Sequence, residues 1–208
     1  MYGSTQRQGI TLLSALLLLC APSLHSQSDA AAPTRQTIFT FVHERPESYR
    51  IERSPESWQA LLPERAYRIL RDSLTEAEYS GKLTDEYREG IYYSRATGQP
   101  VFSSAHKYDS DTGWPSFYRP VDMEAVDLHY EQRSARSAMG VPLTSIAVKD
   151  SSSGSHLGHI LMDGPEPTGL RYCINSASLI FVPAGEEPPP IVAEYLDRFG
   201  GRHSGKAH

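Results

Sequence analysis

A chain of 208 residues with a formal charge of −5, 39% hydrophobic and 22% charged residues has the composition of an ordinary globular protein. Its acidic balance excludes the basic surface typical of nucleic-acid-binding proteins, so we expect no nucleic-acid partner. The length indicates one folded domain, and we expect it to act as a monomer.

Residues 1–30 have the pattern of an export leader. Arg7 gives a positive start, and the apolar run Ile10–Cys20 is too short to cross a bilayer of about 30 Å as a helix. We therefore predict a periplasmic or secreted protein from which the leader is removed. Cys20 allows an alternative, in which this cysteine is lipidated and tethers the protein to a membrane. Leu19 argues against it, because it is bulkier than the residue that usually precedes a lipidated cysteine.

Two segments lie outside the predicted domain, which covers residues 54–183. Residues 31–53 form an N-terminal extension with one β-like run, Thr37–Val42, which could be an added edge strand or a tether. Residues 184–208 form a proline-rich exit with a short amphipathic piece around Tyr195. The polar tail that follows should be dispensable for the chemistry.

The domain begins with two short predicted helices. The pair Ser54-Pro55 has the form of a helix start, and Pro63 ends this helix and opens the second one. In the second helix we expect the inner face to consist of Ala66, Tyr67, Ile69 and Leu70, so arginines 65, 68 and 71 should face outward.

From residue 90 onward, short β-like runs separated by turn residues predict a mainly β domain, compact and barrel- or sandwich-like. The runs are Ile91–Ser94, Pro100–Ser103, Val126–Glu131, Ser145–Lys149, His159–Met162 and Arg171–Val182. In the third run Val126, Leu128 and Tyr130 alternate with polar residues, so we expect these three to be buried.

Cys173 is the only cysteine that remains once the leader is removed. If its segment is extended, Arg171, Cys173 and Asn175 share one face, because side chains two residues apart point the same way. A lone thiol among polar partners in an oxidising compartment indicates reactivity. The alternative is a buried apolar thiol without a chemical role.

His156 and His159 form a second group of candidate functional residues. On a regular strand they would face opposite sides, but Gly158 permits a bulge that turns both imidazoles to one side. Two histidines and Cys173 match the ligands of some catalytic zinc centres. Because the chain has no Cys-x-x-Cys or His-Glu-x-x-His pattern, acid–base work beside Cys173 is the better interpretation.

Trp114 stands next to Pro115, which excludes a helix interior or a central strand. We therefore expect Trp114 on a loop, where it could wall a pocket. The open alternative is a tryptophan that plugs the end of the β domain.

Four motifs together closely resemble the B-type methionine sulfoxide reductases, the enzymes specific for the R epimer of methionine sulfoxide. They occur in the order and near the spacing of that family. The motifs are Gly113–Phe117, His156–His159, Asp163–Pro165 and Gly169–Ser178. The resemblance covers about residues 54–183 and implies two small antiparallel sheets with short N-terminal helices.

The resemblance also implies the roles of individual residues. Cys173 would be the nucleophile that attacks the sulfoxide sulfur, and Arg171 would stabilise its thiolate. The pair His156 and His159 would bind and protonate the sulfoxide oxygen, with His159 as our first choice of acid. Asn175 would orient this polar network. Trp114 would receive the substrate methyl group.

This chain departs from the family at the zinc site. Many members bind a structural zinc through two Cys-x-x-Cys pairs, whose positions correspond here to Ser94 and Thr97, and to Asp150 and Ser153. We therefore expect no zinc or other cofactor, and stability from packing alone.

The chain also departs from the family in its second cysteine. Many members carry a resolving cysteine, and this chain offers only Cys20. A thioredoxin-like protein or another external thiol should therefore reduce Cys173 directly. A smaller departure is Leu161, where a phenylalanine is usual.

Three functions are consistent with these residues. The first is an exported, zinc-free reductase of methionine-R-sulfoxide, in proteins or free, that acts in protein repair and oxidative-stress defence. The second is a non-catalytic module that binds oxidised methionine. The third is a metal-dependent enzyme on a similar β domain.

Overall fold

Two antiparallel sheets form the centre of the molecule. The computed structural model describes residues 33–136 and 142–200. In the larger sheet the strands follow the order β3-β4-β8-β7-β6-β5, and in the smaller sheet the order is β2-β1-β9. Their bounds are β1 Gly90–Ser94, β2 Pro100–Ser103, β3 Lys107–Tyr108, β4 Ser116–Phe117, β5 Val126–Arg136, β6 Pro142–Asp150, β7 His156–Leu161, β8 Arg171–Ile174 and β9 Leu179–Pro183.

The predicted fold class is confirmed, since this is a mainly β domain with two antiparallel sheets and short helices. Across the described strands neither sheet closes on itself, so the domain is not a barrel. A shared core joins the sheets, in which the rings of Phe102 and Phe117 stack at 4.5 Å between centroids. Tyr172 packs against Phe102 at 5.9 Å.

The predicted run Arg171–Val182 is two strands rather than one. Strand β8 belongs to the larger sheet, residues Ser176–Ser178 form a 3-10 turn, and β9 pairs with β1 in the smaller sheet. Small polar residues make the turn possible, because the Ser178 hydroxyl donates to the Asn175 carbonyl at 2.7 Å. The chain therefore changes sheets immediately after Cys173.

Both predicted N-terminal helices are present, as α1 Pro55–Leu61 and α2 Glu64–Asp72. The Ser54 hydroxyl caps α1 by accepting from the Ser57 amide. The prediction for Arg71 is wrong, because this side chain turns inward. Its guanidinium lies 4.8 Å from the Trp58 ring centroid and donates to the Ser155 hydroxyl at 2.8 Å.

Strand β5 departs from simple alternation. Val126 and Leu128 are buried as predicted, but Tyr130 is 59% exposed and His129 is buried. The N-terminal extension explains the burial of His129, because it runs along β5. There the His43 amide donates to the Leu128 carbonyl at 2.9 Å.

The extension is neither a regular edge strand nor a free tether. Where a β-like run was predicted, Ile38–Phe41 is a 3-10 helix, and only Val42 makes a single parallel bridge to Leu128. Ile38 has no exposed surface and belongs to the hydrophobic core. Phe41 and Val42 also pack against this core, so the extension is held by apolar contacts rather than by a ladder of strand hydrogen bonds.

The amphipathic piece near the C-terminus is helix α3, Pro190–Phe199. It buries Val192 and Tyr195, and the Tyr195 hydroxyl lies 2.9 Å from the Ser152 hydroxyl. Between residues 33 and 200, leaving aside 137–141, we find no helix long and apolar enough to cross a membrane. The predicted leader, Cys20 and the polar tail at 201–208 lie outside the described residues.

Candidate active site

The register of the larger sheet brings Cys173 and His159 together. Cys173 pairs with Ser116 on one side and with His159 on the other. Directly paired residues of an antiparallel sheet project from the same face, so these side chains form one row. Arg171, two residues before Cys173, continues the same face. Arg171 and Cys173 therefore share a face as predicted, whereas the third predicted residue, Asn175, lies beyond the end of β8 at Ile174.

The two predicted histidines meet through a β-bulge. Val148 pairs with Gly158, but Lys149 pairs with His156, so Leu157 is an extra residue in β7. The two imidazole rings consequently lie 5.0 Å apart between centroids. Gly158 is required for close strand approach, because a Cβ there would lie 2.1 Å from the Cys173 carbonyl oxygen.

Asn175 fixes this bulge. The Leu157 carbonyl accepts hydrogen bonds from the backbone N–H and the side-chain Nδ2 of Asn175, both at 2.9 Å. It also accepts one from the Ser178 hydroxyl at 3.3 Å. Asn175 thus acts on the histidine pair through the backbone of the residue between them. A carbonyl held by three donors resists straightening of the bulge.

His156 is buried, with 1% of its surface exposed. Burial, with a smaller contribution from the neighbouring His159, lowers its pKa to about 4. Both ring nitrogens of His156 lack a hydrogen-bond partner among the described residues. At neutral pH this imidazole is therefore uncharged and has hydrogen-bonding capacity to offer to a substrate oxygen.

Glu131 is a site residue that the sequence did not reveal. Its carboxylate lies 3.0 Å from His159 Nε2. This contact fixes the ring and leaves Nδ1 as the nitrogen that could act on a substrate. The pairing of β5 with β6 and of β6 with β7 places Glu131 here, and no local pattern near residue 131 could have indicated it.

The Cys173 thiol is half-buried, and its surroundings shift its pKa in opposite directions. Burial raises the pKa of Cys173 above its ordinary value, while the Arg171 guanidinium and a hydrogen bond from Thr112 lower it. The negative charge of Asp163, which is held against Arg171 by two hydrogen bonds of 2.9 and 2.7 Å, raises the pKa of Cys173 because it disfavours the thiolate. The predicted effect of Arg171 is therefore present but smaller than that of burial.

Thr112 belongs to a chain of hydroxyl groups behind the thiol. The Ser110 hydroxyl lies 2.8 Å from the Thr112 hydroxyl and 2.7 Å from that of Ser116. Ser116 is in turn the strand partner of Cys173. The sequence indicated a loop here but not that its hydroxyls converge on Cys173.

Trp114 lies on the loop before β4, as predicted, and is half-buried. Its indole nitrogen donates to the Glu76 carbonyl at 3.1 Å. Glu76 also donates its amide to Asn175 Oδ1 at 2.9 Å and accepts the Ala177 amide on its carboxylate at 3.1 Å. Glu76, which the sequence did not single out, therefore links the tryptophan loop to the end of β8.

The four positions that correspond to zinc ligands meet around one carboxylate. Asp150 is fully buried and accepts from the hydroxyls of Ser94, Thr97 and Ser153, and from the Ser153 amide at 2.7 Å. The expectation that packing alone would stabilise the domain is therefore wrong, because these four residues form a buried polar network. Three hydroxyls and one already bonded carboxylate do not fit zinc, which prefers thiolate and imidazole.

No cluster of three metal-ligating side chains occurs within the described ranges, so the alternative of a metal-dependent enzyme receives no support from a ligand set there.

Leu161 is half-buried two residues after His159 on β7. It is therefore near the site but makes no contact that assigns it a role.

The Glu131 contact leads to a first prediction. Glu131→Gln should lower the turnover number about tenfold, because the charge that holds His159 is lost while the shape is kept. Steady-state kinetics on a methionine sulfoxide peptide test this, with exposed Glu124→Gln as the matched control. Wild-type turnover in Glu131→Gln would show that the ion pair has no part in the chemistry.

Comparison with known proteins agrees with this geometry. The SelR domain matches residues 62–183, more than half of the chain. A peptide methionine sulfoxide reductase MsrB of Methanosarcina mazei is 46% identical over 132 residues, which are 64% of this chain and 89% of that protein. The protein of the same name from Leptospira interrogans is 46% identical over 134 residues, 64% and 97% of the two chains. The chain therefore belongs to the SelR-domain family of peptide methionine sulfoxide reductases, as its four motifs predict.

Proposed function

We propose that this oxidoreductase reduces the R epimer of methionine sulfoxide in peptides, with Cys173 as the nucleophile. The observation that carries the proposal is the row in which Cys173 and His159 are direct strand partners, with the His156 ring 5.0 Å from that of His159. Trp114 on the neighbouring loop would receive the methyl group on the sulfoxide sulfur.

Burial determines how the thiolate forms. Because the pKa of Cys173 is raised by burial, most of the resting enzyme holds the thiol at neutral pH. His159, its direct strand partner, is placed to take the thiol proton and pass it to the sulfoxide oxygen. The uncharged His156 can hold that oxygen through a ring N–H.

The oxygen then moves from substrate to enzyme. The Cys173 sulfur bonds to the sulfoxide sulfur, and the protonated oxygen is then transferred to the Cys173 sulfur. The sulfur–oxygen bond of the substrate and the bond between the two sulfurs both break, which leaves methionine and a sulfenic acid on Cys173. Two external thiols reduce the sulfenic acid, giving the Cys173 thiol, one disulfide and water. A thioredoxin-like protein or another dithiol would supply them.

The cellular setting is part of the same proposal. The apolar leader supports an exported protein, with tethering through Cys20 as the less favoured arrangement. In that compartment the enzyme would act as a monomer that repairs oxidised proteins during oxidative stress. It would need no cofactor and no nucleic acid.

Intact mass is the experiment that tests the mechanism. One equivalent of a methionine-R-sulfoxide peptide, without reductant, should add one oxygen to the protein, and a sulfenic-acid probe should locate it at Cys173. The S epimer should leave the mass unchanged. A loss of two hydrogens would instead show a disulfide with Cys20. An unchanged protein that retains bound peptide would indicate the non-catalytic module.

A further inference from the structure

The N-terminal extension touches the loop that leads into the Cys173 strand. This loop, residues 162–170, which we call the Asp163 loop, connects β7 to β8. The extension precedes the residues that match the SelR domain, which begin at 62. It is nevertheless anchored, by Ile38 in the core and by the Ile51 amide, which donates to the Ser152 carbonyl at 2.8 Å.

Arg35 is the residue that makes this contact. Its backbone amide donates to the Thr168 carbonyl at 3.2 Å. Its side chain donates to the Gly169 carbonyl at 2.9 Å and to the Gly164 carbonyl at 3.2 Å. Three carbonyls of one short loop are thus held by a single residue, and a planar guanidinium suits such paired acceptors.

The glycine at position 169 shows how closely the two segments fit. Gly169 has a φ of +69°, and a Cβ there would lie 2.2 Å from Arg35 Nε. A side chain at this position would therefore push Arg35 away, in addition to straining the backbone.

The Asp163 loop acts in turn on the reactive cysteine. Asp163 binds the Arg171 guanidinium through two hydrogen bonds of 2.9 and 2.7 Å. The Arg171 charge lowers the pKa of the Cys173 thiol, and the charge of Arg35 lowers the pKa of Asp163. A continuous series of contacts therefore leads from the extension to the thiol.

We propose that Arg35 is a positioning residue for Cys173, which acts by holding the Asp163 loop and, through it, the Asp163–Arg171 ion pair. The inference rests on the proposed role of Cys173 as nucleophile. When Arg35 is lost, Arg171 should leave its place beside the thiol, because the loop that clamps it is held at fewer points. Cys173 should then ionise at higher pH.

The pH dependence of Cys173 alkylation by iodoacetamide is the direct readout. Five titratable groups surround the thiol, and their charges must be considered together. They are Arg171 on its own strand, Asp163 in the loop, His159 on β7, Tyr108 on β3 and Glu131 behind His159. Arg35→Ala substitutes none of these five residues, so a shift of the alkylation midpoint reports a change in their arrangement.

Arg35→Ala should raise the midpoint by about half a pH unit and lower the turnover number about tenfold, with KM within about twofold of wild type. Arg35→Lys keeps the positive charge but has a single donor nitrogen. We therefore expect about half of the midpoint shift and about half of the loss of turnover. Arg50→Ala removes an arginine from the same extension, one that lies over the Phe199 ring at 5.1 Å instead. It should show no shift.

A double-mutant cycle separates positioning from general stabilisation. In an Arg171→Gln background the midpoint is already raised, and Arg35→Ala should add no further shift, because the two residues act in series. The same shift in both backgrounds, or a wild-type midpoint in Arg35→Ala, would overturn the proposal. Alkylation requires no sulfoxide, so an enzyme without turnover would disprove the proposed function and leave this test interpretable.

Discussion

Cys173→Ser should reduce the rate of methionine-R-sulfoxide reduction by at least about 10³-fold with dithiothreitol as the electron donor. A serine hydroxyl is a far weaker nucleophile than a thiolate and cannot form the sulfenic acid. The fold should be retained, because Cys173 is free, half-buried and of nearly the same volume as serine. Far-UV circular dichroism and a reversed-phase assay of the peptide product measure the two outcomes.

The matched control for this variant is Cys20→Ser, which removes the other cysteine of the chain. It should keep wild-type turnover with dithiothreitol, because the external thiol reduces Cys173 directly. Full activity in Cys173→Ser would contradict the proposed mechanism. Loss of activity in Cys20→Ser alone would assign Cys20 to the cycle.

Asp150→Ala should have the largest effect on stability, lowering the free energy of unfolding by about 3 kcal/mol. The substitution leaves the hydroxyls of Ser94 and Ser153 and the Ser153 amide without their shared acceptor in a buried place. Urea denaturation at pH 7 measures this loss. Asp197→Ala, at an exposed position on α3, is the control and should change the free energy by less than about 0.5 kcal/mol.

The pH dependence of unfolding gives a sharper test of the same network. Burial raises the pKa of Asp150, while hydrogen bonds from Ser94 and Ser153 and the charge of Arg71 lower it less. A raised carboxyl pKa contributes stability at low pH that is lost as the pH rises through the folded-state pKa. The advantage of wild type over Asp150→Asn should therefore be greatest near pH 4 and shrink toward pH 8. A difference independent of pH would contradict this assignment.

Local patterns predicted much of the fold and of the site. Proline and serine marked the start of α1, alternation and turn residues marked the strands, and Gly158 indicated the bulge that joins His156 and His159. The four motifs indicated the family and the residues proposed for its chemistry. These features were accessible because each depends on residues within a few positions of one another.

The errors occurred where residues distant in sequence meet. Arg71 turns inward because Trp58 and Ser155 are there to receive it. The extension forms a 3-10 helix because Ile38 finds space in the core. In both cases the partner, and not the local pattern, decides which face of the segment is buried.

The sequence by itself determined the family and the chemical groups of the candidate site, because the thiol, the imidazoles and the indole lie in recognisable local motifs. Only the tertiary structure decided their partners: Glu131 beside His159, Glu76 between Trp114 and Asn175, and Arg35 on the Asp163 loop. Side-chain periodicity fixes the direction of a residue along its own strand but carries no information on the register between strands. The partners that tune Cys173 therefore became visible only once the strands were paired.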